Sequence, residues 1–213
     1  YQHMVGLKYS YAHFHAEMDH DSEYFSDEYS DDTYQRVDLI GRLELFPNVQ
    51  LNVQVPYLNN QMSGSHQSVA SHGLGDPMAL LYFTPFNTGE STSAWRHSLR
   101  IGGGVKFPLG DDQKEDGGVI INRNFQLGSG SLDYLLSTNY TFSMNDWGVN
   151  VETSYKLNTA NSQDYRFGNQ FNASAYAFRY LESSIVGFLP FAGMYFESAK
   201  QHRDGKVDQV NTG

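Results

Sequence analysis

Cysteine is absent from this 213-residue chain. That excludes a disulfide framework, a thiolate metal site and a cysteine nucleophile. Basic residues are also scarce. Fourteen Lys and Arg against 24 Asp and Glu give a formal net charge of -10. Such a balance argues against nucleic acid as a partner, because phosphate binding needs a basic surface. No run approaches the roughly 18 apolar residues of a membrane helix. A transmembrane strand, however, needs only every second residue to be apolar. A mean hydropathy of -0.51 is compatible with that. What the chain has in abundance is aromatic: 15 Tyr and 14 Phe. Tyr1 reads as a trimmed or mature start, from which export can be neither read nor excluded.

The dominant period is two. Val37, Leu39, Gly41, Leu43 and Leu45 alternate with Arg36, Asp38, Ile40, Arg42 and Glu44. The same alternation runs through Val49 to Tyr57, Leu99 to Phe107 and Val149 to Lys156. Alternation over this length is a strand signal, with successive side chains on opposite faces. It predicts nine strands, near 4–15, 35–46, 49–60, 75–86, 96–109, 131–143, 147–158, 166–181 and 184–198. The fourth, eighth and ninth alternate poorly.

The predicted connections take turns in length. Short ones fall at Pro47-Asn48, at Met144-Asn145-Asp146 and at Glu182-Ser183, with 87–94 somewhat longer. The others, 16–34, 61–74, 110–130, 159–165 and 199–213, are long and polar. Outer-membrane barrels have this asymmetry, with short periplasmic turns and longer outside loops. Tyr9, Tyr11, Tyr57, Phe107 and Tyr155 lie toward the long-loop ends of their strands. Phe46, Phe86, Trp95, Phe142 and Trp147 lie at the short-turn ends. Two aromatic belts are what two membrane interfaces require. A soluble sandwich also alternates, but its strands are usually about 5–6 residues, shorter than these. The expectation is one domain over 1–213, an all-β, antiparallel, up-and-down transmembrane β-barrel. Nine visible strands is an odd count for a closed bacterial barrel. We therefore expect about twelve strands in the complete protein, with C-terminal strands lying beyond this sequence.

Three segments carry a resemblance. Gly73-Leu74-Gly75-Asp76-Pro77 precedes a predicted strand, Gly104-Val105-Lys106-Phe107-Pro108-Leu109-Gly110 ends one, and Gly128-Ser129-Gly130-Ser131-Leu132-Asp133 begins the next. Their order resembles the outer-membrane "transporter" family associated with meta-pathway phenol degradation. Asp164 to Gln170, Asp204-Gly205 and Asn211-Thr212-Gly213 resemble its Bacteroidetes-type members. The resemblance covers about residues 36–213. Where the family usually has Pro-Thr-Gly, this chain has Pro108-Leu109-Gly110. It implies a barrel in the bacterial outer membrane and strands beyond Gly213, and it defines no substrate.

Two groups of residues could carry chemistry. In the phases above, Lys8, Arg36, Asp38, Arg42, Glu44, Arg100, Lys106, Asp133, Glu152 and Lys156 point into the lumen. Isolated charges there need water or partners. They would either select solutes in a polar channel or form ion-pair ladders that fill a narrow, closed one. Gly102 and Gly104 share that phase and leave room for long neighbours or a solute. The second group is the acidic stretch 16–33. His13, His15, Asp19, His20 and Asp21 are its candidate ligands for a divalent metal, since imidazole suits Zn, Cu and Ni. The plainer alternative is a solvated acidic rim. Catalysis finds little support, because no G-x-S-x-G elbow, phosphate loop or dinucleotide motif is present.

Function is therefore expected to be passive diffusion of a small solute, without a cofactor and without enzymatic chemistry. The alternatives are a non-conducting structural or docking subunit of an outer-membrane complex, and a surface metal-binding barrel. Expected partners are membrane lipid and lipopolysaccharide, a small-molecule solute and other outer-membrane proteins.

Overall fold

The computed structural model describes residues 3–18, 28–65, 68–89, 94–182, 186–209 and 212. Ten antiparallel strands form one sheet: β1 (His3–Met18), β2 (Glu28–Phe46), β3 (Val49–Gly64), β4 (Ser68–Leu74), β5 (Met78–Asn87), β6 (Trp95–Lys106), β7 (Asp133–Met144), β8 (Trp147–Leu157), β9 (Gln170–Arg179) and β10 (Phe191–Ala199). The order is β1-β2-β3-β5-β6-β7-β8-β9-β10, with β4 beside the outer half of β3. Apart from β4 and β5, which both pair with β3, each strand lies beside its neighbour in sequence, as a meander of hairpins requires. The tight links at Pro47-Asn48 and Asn145-Asp146 turn through left-handed backbone at Asn48 (φ 66°) and Asn145 (φ 51°). Asparagine tolerates that conformation better than most residues.

Register sorts the side chains. On one face Val5, Leu7, Leu39, Leu136 and Met194 are 77%, 77%, 49%, 64% and 75% exposed. No second layer covers them among the described residues. The opposite face carries Arg36, Asp38, Gln54, Lys106, Asp133, Ser137 and Lys156. One cavity is lined by Arg36 of β2, Met78 of β5, Leu135 of β7 and Asn172 of β9. Only a concave face brings such distant strands together, so the polar face is the inside of a curled half-barrel. Strands β1 and β10 form its two edges and are not paired with each other.

Several boundaries differ from those predicted. The described parts of 16–34 and 61–74 are extensions of hairpins. Met18 pairs with Glu28, and Ser63 with Ser68. The predicted fourth strand starts at Met78, after the break Gly75-Asp76-Pro77, where Pro77 has no N–H to give. Backbone pairing still brackets that break: Gly75 N donates to Pro56 O, and Phe107 N to Pro77 O. The eighth starts at Gln170, because Tyr165–Arg166 pairs with Arg203–Asp204 instead. The ninth starts at Phe191, one residue after Pro190. Leu181–Glu182 pairs with Gly187–Phe188, so the link is longer than Glu182-Ser183; Ser183 lies outside the described residues.

The loop 110–130 folds over the concave side. Its Ile121 and Phe125 are buried with Val69 of β4, against Tyr34 and Met62. The Tyr34 and Phe125 rings stack at 5.1 Å, and Ser71 Oγ donates to Phe125 O at 2.5 Å.

Candidate functional site

The three glycine-bearing segments singled out in the sequence meet at one point on the concave face. Lys106, at the end of β6, lies directly opposite Asp133, at the start of β7. Lys106 Nζ is 2.6 Å from Asp133 Oδ2 and 2.9 Å from Asp76 Oδ2, and it also donates to Ser129 Oγ. Asp76 Oδ1 accepts from Gly110 N, and its Oδ2 accepts from Ser129 N, each at 2.9 Å. Asp133 Oδ1 accepts from Ser131 Oγ and Thr159 N, each at 2.9 Å. Two carboxylates around one ammonium leave an excess negative charge, which these N–H and O–H donors spread. The arrangement depends on close backbone approach. A Cβ on Gly128 would sit 2.4 Å from Gly110 O, and one on Gly110 would sit 2.5 Å from Leu127 O. Larger residues would push the loop away from Asp76.

The ten charged residues expected in the lumen share one face by register. Asp38, Lys106 and Asp133 are sealed, at 1%, 6% and 0% exposure. Arg36 Nε donates to Asp38 Oδ1 at 2.8 Å, and Lys8, exposed, stands opposite Asp38. Further toward the short turns, Arg42 lies opposite Asn52, and Glu44 opposite Gln50. Arg100 lies opposite Asn139, which in turn faces Glu152. The Arg100 guanidinium stands over the Tyr82 ring at 5.6 Å. That ring also covers Gly102, so the room left by this glycine holds Tyr82 and not a longer basic neighbour. Lys156 stands opposite Leu135 and Gln170 and lines the main cavity.

That cavity measures about 580 Å³. Strand residues form its wall, and Arg123, Gln126, Leu127 and Ser129 of the 110–130 loop form its roof. Arg123 donates to Asp112 O and to the Gln163 side chain, and lies over the Tyr165 ring at 4.9 Å. His202, also lining the cavity, contacts Tyr165 OH through Nδ1 at 2.9 Å. Burial holds the His202 ring below its ordinary pKa, with the nearby Lys156 ammonium adding to the effect. Burial likewise raises the Tyr165 hydroxyl. The alternation gave no sign of Asp76, Arg123, Ser129 or His202 as members of this site. Asp76 was visible only as part of a Gly-Asp-Pro turn.

The candidate metal ligands are divided. His13 Nδ1 is 3.2 Å from Thr33 Oγ1. His15 sits between Asp31, 2.5 Å from its Nδ1, and Glu17, 3.0 Å from its Nε2. Asp19, His20 and Asp21 lie outside the described residues. Among the described residues no group of three or more His, Asp or Glu side chains could hold a metal ion.

Comparison with protein-family models and with curated proteins finds no match to this chain.

Proposed function

We propose that the chain is a β-barrel protein of the bacterial outer membrane, with its concave face lining a path for passive diffusion of a small solute. The observation that carries this is the division of the sheet into two faces. A sheet of nine neighbouring strands exposes Val5, Leu7, Leu136 and Met194 on its convex side while burying Asp38, Lys106 and Asp133 on the other. Water disfavours an uncovered apolar face of that extent, whereas lipid tails favour it. The exposed aromatics fit the same orientation. Tyr9, Tyr57 and Phe107 stand toward the long hairpins, and Phe46, Trp95 and Trp147 toward the tight turns. In lipid, unpaired strand edges are costly, so the embedded form gives β1 and β10 strand partners, in a barrel of about twelve strands. The concave polar groups that line the cavity, such as Arg36 and Lys156, then meet water or solute. No step of bond making or breaking is required of them.

Liposome swelling tests this reading. Vesicles carrying the protein should swell in isotonic small solutes faster than protein-free vesicles. Equal rates would remove the diffusion role and leave a structural one.

A further inference from the structure

The charges around the main cavity do not cancel in pairs. Arg36 is matched by Asp38, and Lys106 by both Asp76 and Asp133. Lys156 and Arg123 also line the cavity, one from the β8 wall and one from the loop roof. Among the described residues neither has a carboxylate within ion-pair distance. Arg123 spends its donors on neutral oxygens, those of Asp112 O and the Gln163 amide. Asp133 and Asp76, whose charges act on Lys156, are both engaged by Lys106, and their excess negative charge offsets that of Lys156 only in part. Arg36, Lys106, Lys156 and Arg123 against Asp38, Asp76 and Asp133 leave one positive charge around the cavity, four minus three, and a net positive cavity favours an anionic guest. The rest of the wall is apolar in part, through Leu58, Met78, Leu135 and Phe167.

We propose that this cavity binds a small organic carboxylate with an apolar body, Lys156 and Arg123 acting as its charge partners and the leucine, methionine and phenylalanine side chains receiving its body. This rests on the reading of the concave face as a solute path, and it names the class of solute. Gln170 and Asn172, on the same wall, supply neutral donors to the carboxylate oxygens. The roof formed by the 110–130 loop places the site at the long-hairpin end of the barrel, where a solute first enters.

Equilibrium dialysis of radiolabelled butanoate against the protein in phospholipid vesicles tests the proposal, with butylammonium and 1-butanol as probes of equal length and different charge. Butanoate should bind at least about tenfold more tightly than either, the effect of one charge-assisted hydrogen bond. Lys156→Gln should lose about tenfold, and Lys156→Arg should retain most of the affinity. Lys156 makes no ion pair of its own, so Lys156→Gln breaks no salt bridge, and urea unfolding in the same vesicles checks that the variant is folded. Equal affinity for butanoate and butylammonium, or undiminished binding by Lys156→Gln, would overturn the proposal. Solute flux across the same vesicles is read separately. Charge-dependent binding without flux would sustain this site and reject diffusion, while flux without such binding would do the reverse.

Discussion

Lys106 and Asp133 face each other across neighbouring strands, with Nζ 2.6 Å from Oδ2 and both side chains closed to solvent. Asp76, from the break between β4 and β5, approaches the same ammonium at 2.9 Å. The cluster therefore ties strands β6 and β7 to the break that leads into β5, and through Ser129 to the loop above the cavity. Its geometry fixes the roof of the candidate site.

Removing the ammonium would leave two buried carboxylates facing each other. Lys106→Met should destabilise the folded protein by about 3–5 kcal/mol. Lys8→Met, on the same face but exposed, should cost less than about 1 kcal/mol. Urea unfolding of the protein in vesicles measures both. Similar losses at the two positions would mean that the cluster has no special weight.

Facing predicts a second contrast. Leu39 is exposed on the convex side, and its neighbour Ile40 points into the concavity opposite Gly6 and Gln54. Arginine at a lipid-facing midplane position costs about 2–4 kcal/mol, whereas a lumen position has access to water. Leu39→Arg should therefore impair insertion into bilayers more than Ile40→Arg. Comparable folding yields would contradict the assignment of faces.

Two adjacent glycines give a sharper steric test. A Cβ on Gly103 meets nothing within 4 Å. One on Gly104 would lie 2.3 Å from the backbone oxygen of Ala79, which cannot swing away. Gly104→Ala should cost about 1–3 kcal/mol by overpacking, and Gly103→Ala should be close to neutral. Denaturant midpoints of the two variants check the order, and a tolerated Gly104→Ala would contradict the pairing of β5 with β6 in this register.

The alternation of Val37 to Leu45 and of Leu99 to Phe107 made the strands and their two faces legible, because successive side chains of a strand point to opposite faces of the sheet. It was silent where both faces are wet. Ser30, Asp32, Gln61 and Ser63 lie in paired strands, yet they read as loop. Backbone hydrogen bonds, and not apolar patterning, carry those extensions. The charged lumen residues were legible by phase alone. The site's convergence was not: Asp76, Lys106 and Asp133 come from three separate segments, and Arg123 and His202 from loops whose periods say nothing about direction. Pairings between distant segments are set by sheet curvature and loop folding, which no local spacing encodes.

His15, exposed toward the Met18 end of β1, offers a titration. Its hydrogen bond to Asp31, then that to Glu17, raises its pKa above the usual 6.5. A group raised in the folded state stabilises the fold in its protonated form. That contribution is complete below about pH 6.5 and is lost as pH rises through the higher folded value. NMR titration of the His15 ring should give a midpoint above 6.5, and Asp31→Asn should lower it. A wild-type midpoint at or below 6.5 would contradict the contact.

Current across a planar bilayer tests the central claim most directly. With the protein inserted under a salt gradient, a water-filled polar lumen predicts discrete conductance steps. Arg100→Glu should then shift the reversal potential toward cation selectivity, because Arg100 faces the concavity over Tyr82. Inserted protein that passes no current would contradict the diffusion role, and conductance whose selectivity ignores Arg100→Glu would show that the ions do not follow the concave face.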